Sequence, residues 1–324
     1  MRLTFLGTSA GMPTTERNVT ALALAIDDSR CWYLVDCGEG TQHRLLTCRY
    51  TLAQLKAIFI THIHGDHIFG LPGLLTSASM QGRIEPLTIC GPDGVEPFVR
   101  QSLACADVHD LPFELHFVRS DAEDFTFSDE NFAVTAHPLS HRVPSFAYRF
   151  FEKTVATALD GEKLKALGVP RGPLWGQLQK GERIVLENGT RVSPEQVMDP
   201  APRSRVAVIG GDNDQPELLH EVLLDADLLV HESTFTDEVF QKVGPRWMHS
   251  TAKKVAEAAA RAGVPNIILT HFSGRYRLSP RAGENSVEML RREAQEYYQG
   301  QVELAEDLGV WQLSREGQLV GLND

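Results

Sequence analysis

The chain has 324 residues, 42% of them hydrophobic, and a formal charge of -12. That length and apolar content support a large core and exclude intrinsic disorder and fibrous classes, and the uninterrupted apolar runs fall far short of the ~20 residues of a membrane span. The acidic balance is awkward for a nucleic-acid enzyme, because Lys and Arg supply most non-specific phosphate affinity; a polyanionic substrate therefore requires a local basic patch.

In chain order, residues 2–6 alternate, residues 20–26 are β-branched and aliphatic, and residues 31–35 are aromatic and aliphatic before a Gly-rich turn. These segments predict a meander of antiparallel strands, with none of the basic and long apolar start of an export signal. Five cysteines (Cys31, Cys37, Cys48, Cys90, Cys105) form no C-x-x-C pair. They fit neither a disulfide framework nor a zinc ribbon, so a reducing cytoplasm is the expected location. Residues 52–57 read as a short helix or turn and residues 57–60 as a buried strand running into Thr61 and His62.

The same pattern recurs three times. Residues 206–209 lead into Gly210, Gly211 and Asp212; residues 228–230 into His231 and Glu232; residues 267–269 into Thr270 and His271. Each buried strand delivers a polar residue at its carboxyl end, where open α/β folds place their sites. Helical patterns lie between them, over residues 217–224 and 251–262, the latter stopped by Gly263 and Pro265. An α/β layered sandwich follows. Residues 152–200 break this pattern with many Gly and Pro and read as an inserted, protruding arm. Within it Lys153, Lys163, Lys165, Arg171, Lys180 and Arg183 outnumber Asp160, Glu162 and Glu182, which suits phosphate contact as well as a solvated connector.

The strongest local signal is His62-Ile63-His64-Gly65-Asp66-His67. Three imidazoles and a carboxylate on a Gly-containing turn can converge on a small volume, and that donor set suits zinc, manganese or iron better than calcium. One short loop cannot close two coordination spheres, so further ligands are expected at strand ends, with His141, Asp212 and His271 as candidates. Asp214 lies close enough to Asp212 to compete with it. His43, His109, His116, His137 and His220 form no convergent pattern and read as structural.

These residues resemble the metallo-β-lactamase superfamily and, within it, the short form of the RNase Z family. The narrower resemblance rests on Phe5-Leu6-Gly7-Thr8-Ser9-Ala10-Gly11, Pro13 with Arg17-Asn18, Asp36-Cys37-Gly38-Glu39-Gly40-Thr41-Gln42, Gly70-Leu71-Pro72-Gly73-Leu74, His231-Glu232, His249-Ser250-Thr251, and Thr270-His271-Phe272-Ser273 with Arg275-Tyr276. It implies a four-layer αββα sandwich over 1–324, carrying a flexible arm at about 152–200. It also implies one metal on His62, His64 and His141, a second on Asp66, His67 and His271, and Asp212 bridging both, with two zinc ions per subunit or manganese in their place.

Asp66, His249 and Glu232 are the implied catalytic residues, His249 being a general acid oriented by Glu232. His231 reads as a packed neighbour. Gly172-Pro173, Leu178 and Gly181 reproduce the family's arm signature, and Arg17, Asn18, Gly172, Pro173, Lys180, Ser273, Arg275 and Tyr276 are the implied substrate contacts. The resemblance implies a homodimeric endoribonuclease that cuts precursor tRNA with a metal-activated water and leaves a 3′-hydroxyl. Two departures stand out: Asp212 is followed by Asn213 rather than threonine, and Ser273 by Gly274 rather than serine. The alternative keeps the metals and takes a small, cyclic-nucleotide-like phosphodiester; a protein that binds RNA without cutting it would have lost ligands that are all present here.

Overall fold

The computed structural model describes residues 1–27, 29–153, 159–198 and 203–322. Residues 154–158 and 199–200 of the expected arm lie outside them. Two compact units emerge, one made of residues 1–151 and 205–324, the other of residues 152–204.

The larger unit is built on two sheets. The first has eight strands, in the order Leu319–Leu322, Val310–Leu313, Arg2–Gly7, Ala21–Ala25, Trp32–Val35, Leu55–Phe59, Leu87–Gly91 and Leu115–Arg119. The expected meander is its antiparallel centre, pairing Leu3 with Leu24 and Ala23 with Leu34. From Trp32–Val35 onward the strands run parallel. The second sheet has seven strands, ordered Gln301–Leu304, Asn266–Thr270, Leu228–Glu232, Val206–Gly210, Ser145–Glu152, Phe132–Leu139 and Thr126–Ser128. Its first four run parallel, so their carboxyl ends share one edge.

Alternation within the strands decides the layering, because successive side chains point to opposite faces. Leu22, Leu24, Tyr33, Val35 and Phe59 of the first sheet pack against Tyr148, Phe150, Ala207, Ile209, Leu228, Val230 and Ile268 of the second. Phe59 sits edge-on to both Tyr148 and Phe150, with ring centroids 5.2 and 5.0 Å apart. On the outer face of the first sheet, Ala23, Leu34, Ile58 and Ile60 meet Leu71, Leu74 and Leu75 of the helix Leu71–Met80 and Val95 and Val99 of Val95–Cys105. On the outer face of the second, Val208, Leu229, Ile267 and Leu269 meet Val255, Ala256 and Ala259 of Ala252–Ala262 and Leu290 and Ala294 of Glu288–Tyr297. This is the four-layer αββα sandwich. The helix Ala252–Ala262 starts where Thr251 accepts a hydrogen bond from the Lys254 amide and ends at left-handed Gly263, as its sequence signals predict. The helix expected over residues 217–224 is instead a 3₁₀ turn, Pro216–Leu219, followed by a short helix, His220–Leu223.

The smaller unit has a core of its own. Leu164, Val169, Leu178, Ile184, Val192 and Val197 pack together from three short helices and the hairpin Ile184–Val185/Arg191–Val192. Asp160 caps the helix Gly161–Ala166 by accepting from the Glu162 and Lys163 amides. Among the described residues no helix is long and apolar enough to cross a membrane.

Candidate metal centre

Four of the parallel strands, one in the first sheet and three in the second, supply polar residues at their carboxyl ends. Leu55–Phe59 leads to Thr61 and His62, and the one-turn helix Gly65–Ile68 that follows carries Asp66 and His67. Val206–Gly210 leads to Asp212, Leu228–Glu232 ends on Glu232, and Asn266–Thr270 leads to His271 at φ 57°. His141 comes from the loop after Phe132–Leu139. The approach of Asp212 to this loop depends on Gly211: a Cβ there would lie 2.6 Å from the Thr61 Cβ and 2.8 Å from the Ser145 Oγ.

The side chains gather into two trios around one carboxylate. His64 Nδ1 lies 3.1 Å from His62 Nε2 and 3.2 Å from His141 Nε2. Asp212 Oδ2 faces this trio, 3.5 Å from His62 Nε2 and 3.7 Å from His141 Nε2. On the other side, Asp66 Oδ2 lies 3.3 Å from His271 Nε2 and 3.5 Å from His67 Nε2, and Asp212 Oδ1 lies 3.3 and 3.6 Å from the same two nitrogens. Asp214 stays outside the cluster; its amide donates to Ser140 O and its carbonyl accepts from Lys254 Nζ. Asn213 ties neighbouring loops together through His231 Nε2 and the Ser140 amide.

The donor set fits cations. His67 Nε2 and Asp212 Oδ1 are buried with no hydrogen-bond partner, a costly state unless something positive lies between them. Burial pushes His62, His64 and His141 below the ordinary imidazole range, leaving neutral rings with lone pairs to offer. Burial alone would raise Asp66 and Asp212, but the surrounding imidazoles reverse this and hold both well below the usual carboxylate range. Burial likewise opposes charge on His67, yet Asp36, Asp66 and Asp212 together hold it well above the ordinary value.

The outward nitrogens are held as metal-binding imidazoles require. His67 Nδ1 is 2.7 Å from Asp36 Oδ2, His271 Nδ1 3.0 Å from Thr234 Oγ1, His141 Nδ1 2.9 Å from Met248 O, and His62 Nδ1 3.1 Å from Thr61 Oγ1. Asp36 also accepts from the Thr61 amide and hydroxyl. Asp36, Thr61 and Thr234 lie outside the set of site residues that the sequence predicts. Asp36 obeys the rule that found the others: it follows the strand Trp32–Val35 at a carboxyl end, and its φ of 59° marks a specialised turn.

Beside the two trios, His249 Nδ1 lies 3.2 Å from Glu232 Oε1 and 3.7 Å from Asp212 Oδ2. Buried Glu232 also accepts from the Ser250 and Thr234 amides and the Thr234 hydroxyl. Burial opposes protonation of His249, but Glu232 and Asp212 outweigh it and lift the imidazole to about 9. His231 is fully buried and bonded to Asn213 and the Glu232 carbonyl, a packed neighbour as expected.

The expected substrate contacts divide. Arg275 is exposed and Ser273 half-buried, both open to a ligand. Arg17 and Tyr276 depart from expectation. Arg17 is 2% exposed and donates to the Tyr276 and Ser273 carbonyls, while Tyr276 is 0% exposed and bonds to Thr236. Both are enclosed and hold the loop after His271, the Arg17 Nε and Nη1 having no hydrogen-bond partner among the described residues. Asn18 donates to the Glu39 carbonyl. Gly172, Pro173 and Lys180 belong to the smaller unit, at the helix Pro173–Gln179.

A family model described as the anti-Pycsar protein Apyc1 matches residues 1–141. The ribonuclease Z of Marinobacter nauticus is 48% identical over 98% of this chain and 98% of its own length. Among solved structures, human tRNase Z, short form, superposes with a TM-score of 0.65 at 28% identity, covering 97% of this chain and 100% of its own. The metallo-β-lactamase fold protein YhfI of Bacillus subtilis gives 0.65 at 19% identity, over 96% and 98%, and so shares the fold. By these matches the chain belongs to the ribonuclease Z family, built on the metallo-β-lactamase fold.

Proposed function

We infer that the chain is a metal-dependent phosphodiester hydrolase, an endoribonuclease that removes the 3′ trailer from precursor tRNA and leaves a 3′-hydroxyl on the tRNA. The observation that carries the reading is the buried Asp212 carboxylate, one oxygen toward each of two ligand-type trios. On this reading His62, His64 and His141 hold one cation and Asp66, His67 and His271 a second, with Asp212 shared. Two zinc ions per subunit suit imidazole and carboxylate donors, and manganese accepts the same set. When bound, such a pair lowers the pKa of water and neutralises charge on the phosphoryl oxygens.

The chain's own residues do the rest. Asp36, Thr234, Thr61 and the Met248 carbonyl hold His67, His271, His62 and His141 by their outward nitrogens. Glu232 turns His249 by its Nδ1, so Nε2 is the nitrogen that hands a proton to the leaving 3′ oxygen, a step worth ~10²- to 10⁴-fold. Asp66 combines catalytic and ligand roles.

The smaller unit, about residues 152–200, serves as an arm that grips tRNA through its basic residues, recognising a common shape through phosphate contacts. The arm belongs to a single 1–324 domain, and a homodimer in the cytoplasm completes the reading. The test is incubation with an end-labelled precursor tRNA, with and without chelator: cleavage at the trailer junction, lost on chelation, is expected. Hydrolysis of small phosphodiesters without precursor cleavage would overturn the substrate, and undiminished cleavage after deletion of residues 153–183, with folding preserved, would overturn the arm.

A further inference from the structure

Beside His249, the 3₁₀ turn Pro245–Trp247 carries Trp247, whose indole is 38% exposed. Two guanidiniums lie over it: Arg246 Cζ at 4.5 Å from the ring centroid and Arg142 Cζ at 5.1 Å. Both arginines are exposed, and among the described residues no carboxylate lies within ion-pair distance of either. Of the other exposed arginines, Arg100 and Arg119 are paired with Glu96 and with Asp93 and Asp121, while Arg171 lies over Trp175 in the smaller unit. In a chain of charge -12, two uncompensated guanidiniums stacked on an open aromatic ring form a surface made for an anion that also carries a flat ring.

Its place in the site gives it a direction. Arg142 follows His141 in the chain, and the carbonyl of Met248, between Trp247 and His249, accepts from His141 Nδ1 at 2.9 Å. The backbone of the platform is therefore pinned between a candidate ligand and the candidate acid. An acid stands beside the oxygen that leaves, and that oxygen is the 3′ oxygen of the last retained nucleotide. We propose that the Arg142–Trp247–Arg246 platform holds this nucleotide, its base stacked on the planar groups and its phosphates against the guanidiniums, so that recognition at the cut falls on the tRNA side rather than the trailer side.

The inference rests on the precursor-cleavage reading, and the test separates the two. Wild type, Trp247→Ala and Trp247→Phe are compared on precursor tRNA that is intact, abasic at the last retained nucleotide, or abasic at the first trailer nucleotide. From the cost of losing one stacked base, Trp247→Ala should raise KM by roughly 10-fold or more with unchanged metal content, and Trp247→Phe should recover most of it. The abasic retained nucleotide should raise the wild-type KM comparably and add little in Trp247→Ala, because the partner is already gone. An effect confined to the abasic trailer nucleotide, additive losses, or a KM unchanged in Trp247→Ala would overturn the proposal. Absence of wild-type cleavage would instead sink the reading beneath it.

Discussion

Asp36→Asn is the sharpest probe of how the centre is held. The change keeps size and shape, and asparagine tolerates the φ of 59° at this position, so the turn should survive. What changes is one oxygen. Asp36 Oδ1 accepts from the Thr61 amide, while Oδ2 accepts from the Thr61 hydroxyl and faces His67 Nδ1 at 2.7 Å.

An amide has a single acceptor oxygen, so one orientation sets its NH₂ against the Thr61 amide. The other sets it against His67 Nδ1 and drives the ring proton to Nε2, the nitrogen aimed at the second trio. The first orientation opposes two donors in a buried site, at a cost of about 1–3 kcal/mol, and the second takes the lone pair from the nitrogen that would meet a cation. Losing the partner of a ligating imidazole lowers metal affinity by about 10- to 100-fold, equivalent to about 1.4–2.7 kcal/mol. Competition with a chromophoric chelator measures the affinity, and circular dichroism checks that the fold is intact. An affinity within twofold of wild type would refute the argument that Asp36 prepares His67 for a cation.

Further outcomes follow from the same geometry. His64→Ala removes the nitrogen shared between His62 and His141 and should abolish turnover with little loss of RNA binding, as filter binding and single-turnover assays would show. His249→Ala should slow the single-turnover step by ~10²- to 10⁴-fold with metal content unchanged; a normal rate would remove it from the acid role. Asp27 accepts from the Met1 ammonium, from Arg205 and from Gln312. Although burial opposes it, these donors lower its carboxyl from 3.8 to about 2. A depressed carboxyl stabilises above its unfolded value and loses that contribution as pH falls through the folded one. With Asp27 one-third exposed, Asp27→Asn should therefore cost about 1 kcal/mol at pH 7 and progressively less below about pH 4, read from urea midpoints across that range.

What was legible in the sequence was whatever local pattern determines. The His62 to His67 run declares itself because its donors are neighbours in the chain, and the strands leading to Asp212, Glu232 and His271 declare themselves as apolar runs ending in polar residues. Partners reaching across the sheets do not. Thr234 holds His271 from 37 residues away and Asp36 holds His67 from 31. Burial also escaped: Arg17 and Tyr276 bear substrate-like groups, yet packing against Phe272 and Thr236 encloses them. The core of the smaller unit was hidden because its apolar residues stand singly among Gly and Pro, so no periodicity marks them. Asp212 and Asp214 are indistinguishable by type, and only the turn after Gly211 separates them.

The carboxylate between the two trios is fed by the second sheet, while His62 and His67 hang from the first. A cation gripped at that point is a clasp joining distant stretches of chain, so its binding energy opposes global unfolding rather than the opening of one loop. Stripping it should loosen the contact between sheets first. A fragment ending before Asp212 would retain most histidines and still lose the clasp.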